Sequence, residues 1–278
     1  MKITDNEKKN INCIHIKSND LGNIYQKLGS GVEGNVYKYS SNQAIKIYNN
    51  DENINLDLIV ERIKFFSQIE INNVAFPQGI VCNEKDDIIG YIMPLINQNK
   101  IGSFFNLIEC KDNEEFINYF IKANDTMRNL HQRGIYVGDY NPNNIMIDTY
   151  NQPIFIDTIN YASSEFSFLL YPYNSMMHEK IYGHKCSLID NEKFMFTLLF
   201  LSYFTPIEKL EKAINSKSFK DIIDDFKISN EAKNILNKIM SDCDNKDYLD
   251  LVLEEFLKNE HKKYDNKFFM LVKIIFKN

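Results

Sequence analysis

The chain has 278 residues, 44% hydrophobic and 25% charged, which excludes a disordered polar chain and suffices for a core in each of two lobes. Its net charge of −6, with both signs interspersed, argues against a nucleic-acid surface, which would show a basic stripe. The five cysteines, Cys13, Cys82, Cys110, Cys186 and Cys243, are odd in number, far apart and without a C-x-x-C pair. Reduced thiols are therefore expected, rather than a disulfide framework or a zinc site.

Residues 1–20 read as a polar lead-in with no apolar signal core, carrying one short strand at Cys13–Ile16. From Asn23 to Tyr48 the pattern is β, with strands at Ile24–Leu28, Val36–Tyr39 and Ala44–Tyr48 separated by Gly and Ser-Ser-Asn turns. Apolar residues at Leu56, Ile59, Val60, Ile63, Phe66 and Ile69 then follow helical spacing over Ile54–Ile69. Two more strands, Gly79–Asn83 and Ile88–Met93, close this part. After Pro94 the chain turns helical, at Phe104–Ile108 and Glu114–Arg133, and the boundary is drawn at Leu95–Lys100. A short loop and a hairpin follow at Val137–Asp157, then a poorly patterned stretch at Thr158–Leu188, then helices from Asp190 onward. The apolar runs Phe194–Phe204 and Phe268–Phe276 fall short of a membrane span. A cytoplasmic protein with no membrane or nucleic-acid partner is the expectation.

The chemistry-bearing residues fall inside this frame. Gly29-Ser30-Gly31-Val32-Glu33-Gly34-Asn35-Val36 is a G-x-G-x-x-G-x-V turn between two strands, where glycines let backbone N–H groups approach phosphates. A strand follows it rather than a helix, so it is no dinucleotide fingerprint. Ala44-Ile45-Lys46-Ile47 places one lysine in an apolar strand, where a cation over a phosphate is wanted. Glu61, on the next helix, is the candidate anionic partner for Lys46, with Glu52 and Glu70 as rivals. Asp139 and Asn144 lie five apart across a proline turn, and Asp157 ends the following hairpin. Two carboxylates and a carboxamide oxygen suit a hard cation such as Mg²⁺ together with one base.

Taken in this order, Gly29/Gly31/Gly34, Ala-Ile-Lys46, Glu61, Asp139-x-x-x-x-Asn144 and Asp157 resemble the signature set of the eukaryotic-type protein kinase superfamily. The resemblance spans nearly the whole chain. It implies an α+β, bilobal kinase-like fold. Residues 21–96 would form a small β-rich lobe with one key helix, and 97–278 a larger, mostly α-helical lobe. It implies ATP and Mg²⁺ as cofactors, with Mn²⁺ as a substitute, and a protein substrate offering a Ser/Thr hydroxyl. Lys46 would hold the phosphates and pair with Glu61. Asp139 would act as base, while Asn144 and Asp157 would carry the metal. Gly29, Gly31, Gly34, Val36 and Ala44 would line the nucleotide. Tyr91–Ile96 resembles the hinge, with Met93 behind the adenine, Pro94 supplying only a carbonyl and Ile96 the N–H donor. Asp190 resembles the buried Asp that braces the catalytic loop, and Ser229–Met240 a late helix of the family.

Departures from the pattern matter too. Val137-Gly138 stands in place of His-Arg, Asn141 in place of the Lys after the catalytic Asp, and Asp157-Thr158-Ile159 in place of D-F-G. Ile159 disfavours a flip to positive φ, because a β-branched residue avoids that region. His178-Glu179-Lys180 stands where A-P-E does, with Lys246 as a substitute for the absent Arg partner. The pattern resembles divergent bacterial members more than the eukaryotic core. Two other readings stay open. Gly138-Asp139 with Asn144 also resembles the loop of aminoglycoside and choline phosphotransferases, and a pseudokinase-like binding module would keep the fold without the chemistry.

Overall fold

The computed structural model describes residues 11–31, 33–49, 55–110, 112–169, 177–243, 246–259 and 261–264. It is a mixed α+β protein whose chain divides into two compact units. One comprises Met1–Asn97 with Ile156–Ile159, and the other Gln98–Phe155 with Asn160–Asn278. No helix among the described residues is long and apolar enough to cross a membrane.

The first unit is built on a six-stranded sheet. Its strands are β1 (Cys13–His15), β2 (Lys27–Ser30), β3 (Gly34–Lys38), β4 (Gln43–Tyr48), β5 (Gly79–Cys82) and β6 (Ile88–Pro94), in the spatial order β1-β5-β6-β4-β3-β2. All pairs are antiparallel except β1 with β5. The lead-in is thus not wholly outside the fold, since β1 adds a parallel edge strand with Cys13 opposite Ile80. The strand expected at Ile24–Leu28 begins later, at Lys27, because Gly22 and the Asp20–Tyr25 turn consume the residues before it.

Alternation gives this sheet two characters. One face carries Ile45, Ile47, Ile92 and Val81, which form an apolar cluster with Ile16. On the other face the register sets Lys46 beside Val36 and Tyr91, and Ala44 beside Met93. The helix α1 (Leu56–Phe66) packs beside β5. Its start is capped by the Asn55 side chain accepting from the Leu58 N–H. Ile59, Val60, Arg62, Ile63 and Phe66 are its buried residues, and Phe66 stacks on Phe76.

The second unit opens with a strand that the sequence did not suggest. β7 (Gln98–Ser103) pairs with β8 (Ile145–Asp148), and β8 pairs with β9 (Pro153–Phe155). The polar run Gln98-Asn99-Lys100 hides it, because β7 is an edge strand with little to bury. A 3₁₀ turn, Phe104–Glu109, stands where a helix was expected. Then come α2 (Asn113–Gln132), α3 (Met177–Tyr182), α4 (Leu188–Phe204), α5 (Ile207–Ser216), α6 (Lys220–Asp224), α7 (Asn230–Ser241) and α8 (Asp250–Leu257). From Asp190 to Phe204 every residue of α4 is buried, the mark of a helix surrounded on all sides. Phe120 of α2 meets Phe196 and Phe200 of α4, and Phe256 of α8 meets Phe200 and Phe204. The helix expected at Phe268–Phe276 lies outside the described residues.

The expectation of unpaired thiols fails at one place. Cys186 and Cys243 are joined, with Cα atoms 5.2 Å apart, whereas Cys13, Cys82 and Cys110 form no disulfide. Their separation of 57 residues conceals the pairing, which arises only when the approach to α4 meets the end of α7.

Gly90 tests the sheet directly. A Cβ there would press into the Lys46 carbonyl across the β4–β6 ladder, whereas one at Gly29 meets nothing within 4 Å. Gly90→Ala is expected to cost about 1–3 kcal/mol and Gly29→Ala less than about 0.5 kcal/mol, read from urea unfolding midpoints.

Candidate functional site

In the first unit two acids gather on the candidate residue Lys46. Its side chain is 11% exposed, and its ammonium lies 2.5 Å from Glu33 Oε2 and 2.8 Å from Asp157 Oδ1. Burial by itself pushes the ammonium pKa down. Asp157 and Glu33, both in contact with the ammonium, outweigh it and hold the pKa well above the ordinary lysine value, so Lys46 is a fixed cation. Burial also raises the Tyr91 phenol, which stays neutral beneath it.

Glu61 does not make the pairing expected of it: it is exposed on α1, and the acids on Lys46 are Glu33 and Asp157. The rival Glu70 is exposed as well, and Glu52 lies outside the described residues. The residue that α1 turns inward is Arg62, 1% exposed, whose Nη1 donates to the Ile159 carbonyl at 2.9 Å. One position along a helix rotates a side chain by about 100°, enough to exchange solvent for core.

Asp157 reaches Lys46 by an unusual backbone. Its φ is +59°, a left-handed conformation that non-glycine residues adopt at a cost and that clusters at functional sites. The three residues after it hold it there. Thr158–Asn160 forms a 3₁₀ turn, the Thr158 hydroxyl donates to the Ala75 carbonyl at 2.9 Å, and Ile159 is fully buried with its carbonyl on Arg62. Thr158 and Ile159 are therefore fastened by hydrogen bonds and burial. These contacts are also why Ile156–Ile159 belongs to the first unit although it lies well past residue 97.

The glycine turn is tied down largely by its own backbone and by the neighbouring strand. The Gly31 N–H donates to the Gly34 carbonyl at 2.8 Å, and a Cβ at Gly34 would collide with the Ile47 carbonyl. Gly34 is thus required by the close approach of β3 to β4, and Val32 lies outside the described residues. At the end of β6, Pro94 pairs with Gln43, and the Leu95 N–H is committed to the Asn42 carbonyl at 2.9 Å. Met93, Pro94 and Ile96 are half-buried.

The second unit holds Asp139 and Asn144 together: Asn144 Nδ2 donates to Asp139 Oδ2 at 3.2 Å. Gly138 has φ +72°, and the Asp139 N–H bonds back to the Val137 carbonyl at 2.9 Å, a γ-turn. Asn141 caps the Pro142–Asn144 turn by accepting from the Asn143 N–H. It serves the backbone where the family has a lysine.

The acid bracing this loop is Glu192, and Asp190 has another task. Asp190 lies in the first turn of α4, where Ser187 caps its N–H and bonds its carboxylate at 2.6 Å. Two residues on, Glu192 accepts from the Gly138 N–H at 2.6 Å and the Tyr140 hydroxyl at 3.3 Å, and meets His131 Nε2 at 2.8 Å. The His131 and Glu192 side chains are each 2% exposed, and His131 Nδ1 lies 3.0 Å from the Tyr248 hydroxyl. In the sequence Glu192 sits in the polar run Asp190-Asn191-Glu192-Lys193 at the start of an apolar helix, which gave no signal that set it apart from Asp190. No ion pair joins Glu179 to Lys246 among the described residues; Lys246 is exposed, and His178 is buried against Tyr182 and Phe194.

No family model matches the chain, and no curated protein sequence matches it.

Glu192 carries a testable load. Removing one member of a buried, hydrogen-bonded pair costs about 3–5 kcal/mol. Glu192→Ala is expected to lose that much in chemical unfolding, and Glu192→Gln, which keeps an acceptor for Gly138, distinctly less.

Proposed function

We propose that the chain is an ATP- and Mg²⁺-dependent phosphotransferase, acting on a Ser/Thr hydroxyl of a protein substrate with Asp139 as the base. The observation that carries this reading is the ion pair between Lys46 and Asp157, 111 residues apart in the chain. Each was singled out on local pattern alone. Asp157 held at positive φ and Asn144 bonded to Asp139 add support, since strain and preset polar contacts are common where chemistry is done.

The residues present suit the nucleotide. Lys46 is a permanent cation on the sheet face that also carries Val36, Ala44 and Met93, an apolar surface for a base beside a charge for phosphates. Asp157 and the Asn144 carboxamide oxygen are hard oxygen donors of the kind Mg²⁺ takes. Bound Mg²⁺ supplies charge neutralisation on the phosphates. Asp139, held by Asn144, orients the acceptor hydroxyl and takes its proton. With Pro94 lacking an N–H and that of Leu95 committed, Ile96 is assigned as the adenine donor.

Nucleotide binding and turnover are separable. ATP with Mg²⁺ should raise the Tm more than either alone. Asp139→Ala should keep that shift and lose about 10²–10⁴-fold in phosphoryl transfer, whereas Asp157→Ala should lose both. Transfer to an aminoglycoside or choline in place of a protein acceptor would assign the chain to the small-molecule kinases. A full shift with no transfer to any acceptor would mark a binding module.

Glu33 occupies one side of the Lys46 ammonium, so phosphates must displace it. Glu33→Gln weakens that competitor, and with a half-buried pair worth about 1 kcal/mol the Kd for Mg²⁺-ATP should fall about fivefold by calorimetry. An unchanged or weaker Kd would show that Glu33 does not compete.

A further inference from the structure

Apart from the residues assigned above, four side chains of the second unit meet at one point. His178 lies on α3, His184 and Cys186 on the connection leading into α4, and Cys243 just past the end of α7. One ligand atom from each lies within 4.8 Å of the other three. His178 is 1% exposed, with Nδ1 3.1 Å from Cys186 Sγ. The His178 and His184 rings meet edge to face, with centroids 5.2 Å apart.

The join between Cys186 and Cys243 accounts for only two of the four. It leaves a buried imidazole facing sulfur, a weak acceptor, and gives no reason for a second imidazole to turn to the same spot. A tetrahedral ion does. Zinc at about 2.3 Å from sulfur and about 2.0 Å from nitrogen keeps its ligand atoms about 3.3–3.8 Å apart; His178 Nδ1 and Cys186 Sγ already stand 3.1 Å apart, and the two sulfurs, joined here, separate on reduction. Two thiolates and two imidazoles are soft and borderline donors, which select zinc over Mg²⁺ or Ca²⁺.

We propose that His178, His184, Cys186 and Cys243 form a Cys₂His₂ zinc site in the reduced chain. With four protein ligands no position stays open for water or substrate, so the ion is structural. It ties the connection between α3 and α4 to the end of α7. The ligand spacing hides it: His184-x-Cys186 is the one close pair, and Cys243 comes 57 residues after Cys186.

The test uses the full chain, kept in thiol reductant, stripped of metal and titrated with Co²⁺ and then Zn²⁺. One equivalent of Co²⁺ should give the visible bands of a tetrahedral centre and a thiolate-to-cobalt charge-transfer band, both removed by one equivalent of Zn²⁺. Cys243→Ser should halve the charge-transfer intensity. His184→Ala, at an exposed position that does not threaten the fold, should weaken Co²⁺ binding at least tenfold, on the scale typical of lost site residues. Failure to bind Co²⁺, bands unchanged in both variants, or a Cys186–Cys243 bond that persists under reductant with no metal uptake would each overturn the proposal. None of these readouts depends on phosphoryl transfer.

Discussion

An ammonium group set into an apolar strand must be paired, because taking it out of water costs several kcal/mol otherwise. Lys46 satisfies that demand with Glu33 and Asp157, and much of the first unit depends on it. Glu33 draws the glycine turn onto β4. Asp157 draws in a segment that lies beyond β9, and that segment is then fastened through Thr158 to Ala75 and through Ile159 to Arg62. The left-handed backbone of Asp157 costs about 1–2 kcal/mol. It persists because the ion pair before it and the buried turn after it leave no relaxed alternative.

The second unit solves a similar problem with a buried carboxyl group. Glu192 is a buried carboxyl group on α4, and it is satisfied by a backbone N–H, a tyrosine hydroxyl and an imidazole. Gly138 is what makes this possible, since at φ +72° it can aim its N–H at Glu192 while turning Asp139 out of the loop. The loop from Gly138 to Tyr140 is thereby held from inside the fold by one side chain of α4.

The proposed zinc site fits the same logic at a third place. The connection into α4 is short of apolar contacts, with Gly183, His184 and Lys185 all exposed. A metal crosslink replaces the packing it lacks.

Much was legible in the sequence alone. Alternation located β3 to β6, helical spacing located α1 and α2, and turn chemistry placed Asp139, Asn144 and Asp157 at the ends of elements, because each of these signals is local and repeats along the chain. Tertiary structure decided the partners. Glu61 and Arg62 are neighbours, and only the face that α1 turns inward makes Arg62 the buried one. Asp190 and Glu192 lie within three residues, and only the Ser187 cap commits Asp190 locally and leaves Glu192 to the core. The Glu33 pairing and the Cys186–Cys243 contact were invisible for one reason: a partner is chosen by which surfaces the folded chain brings together, and that choice leaves no period or spacing in the sequence.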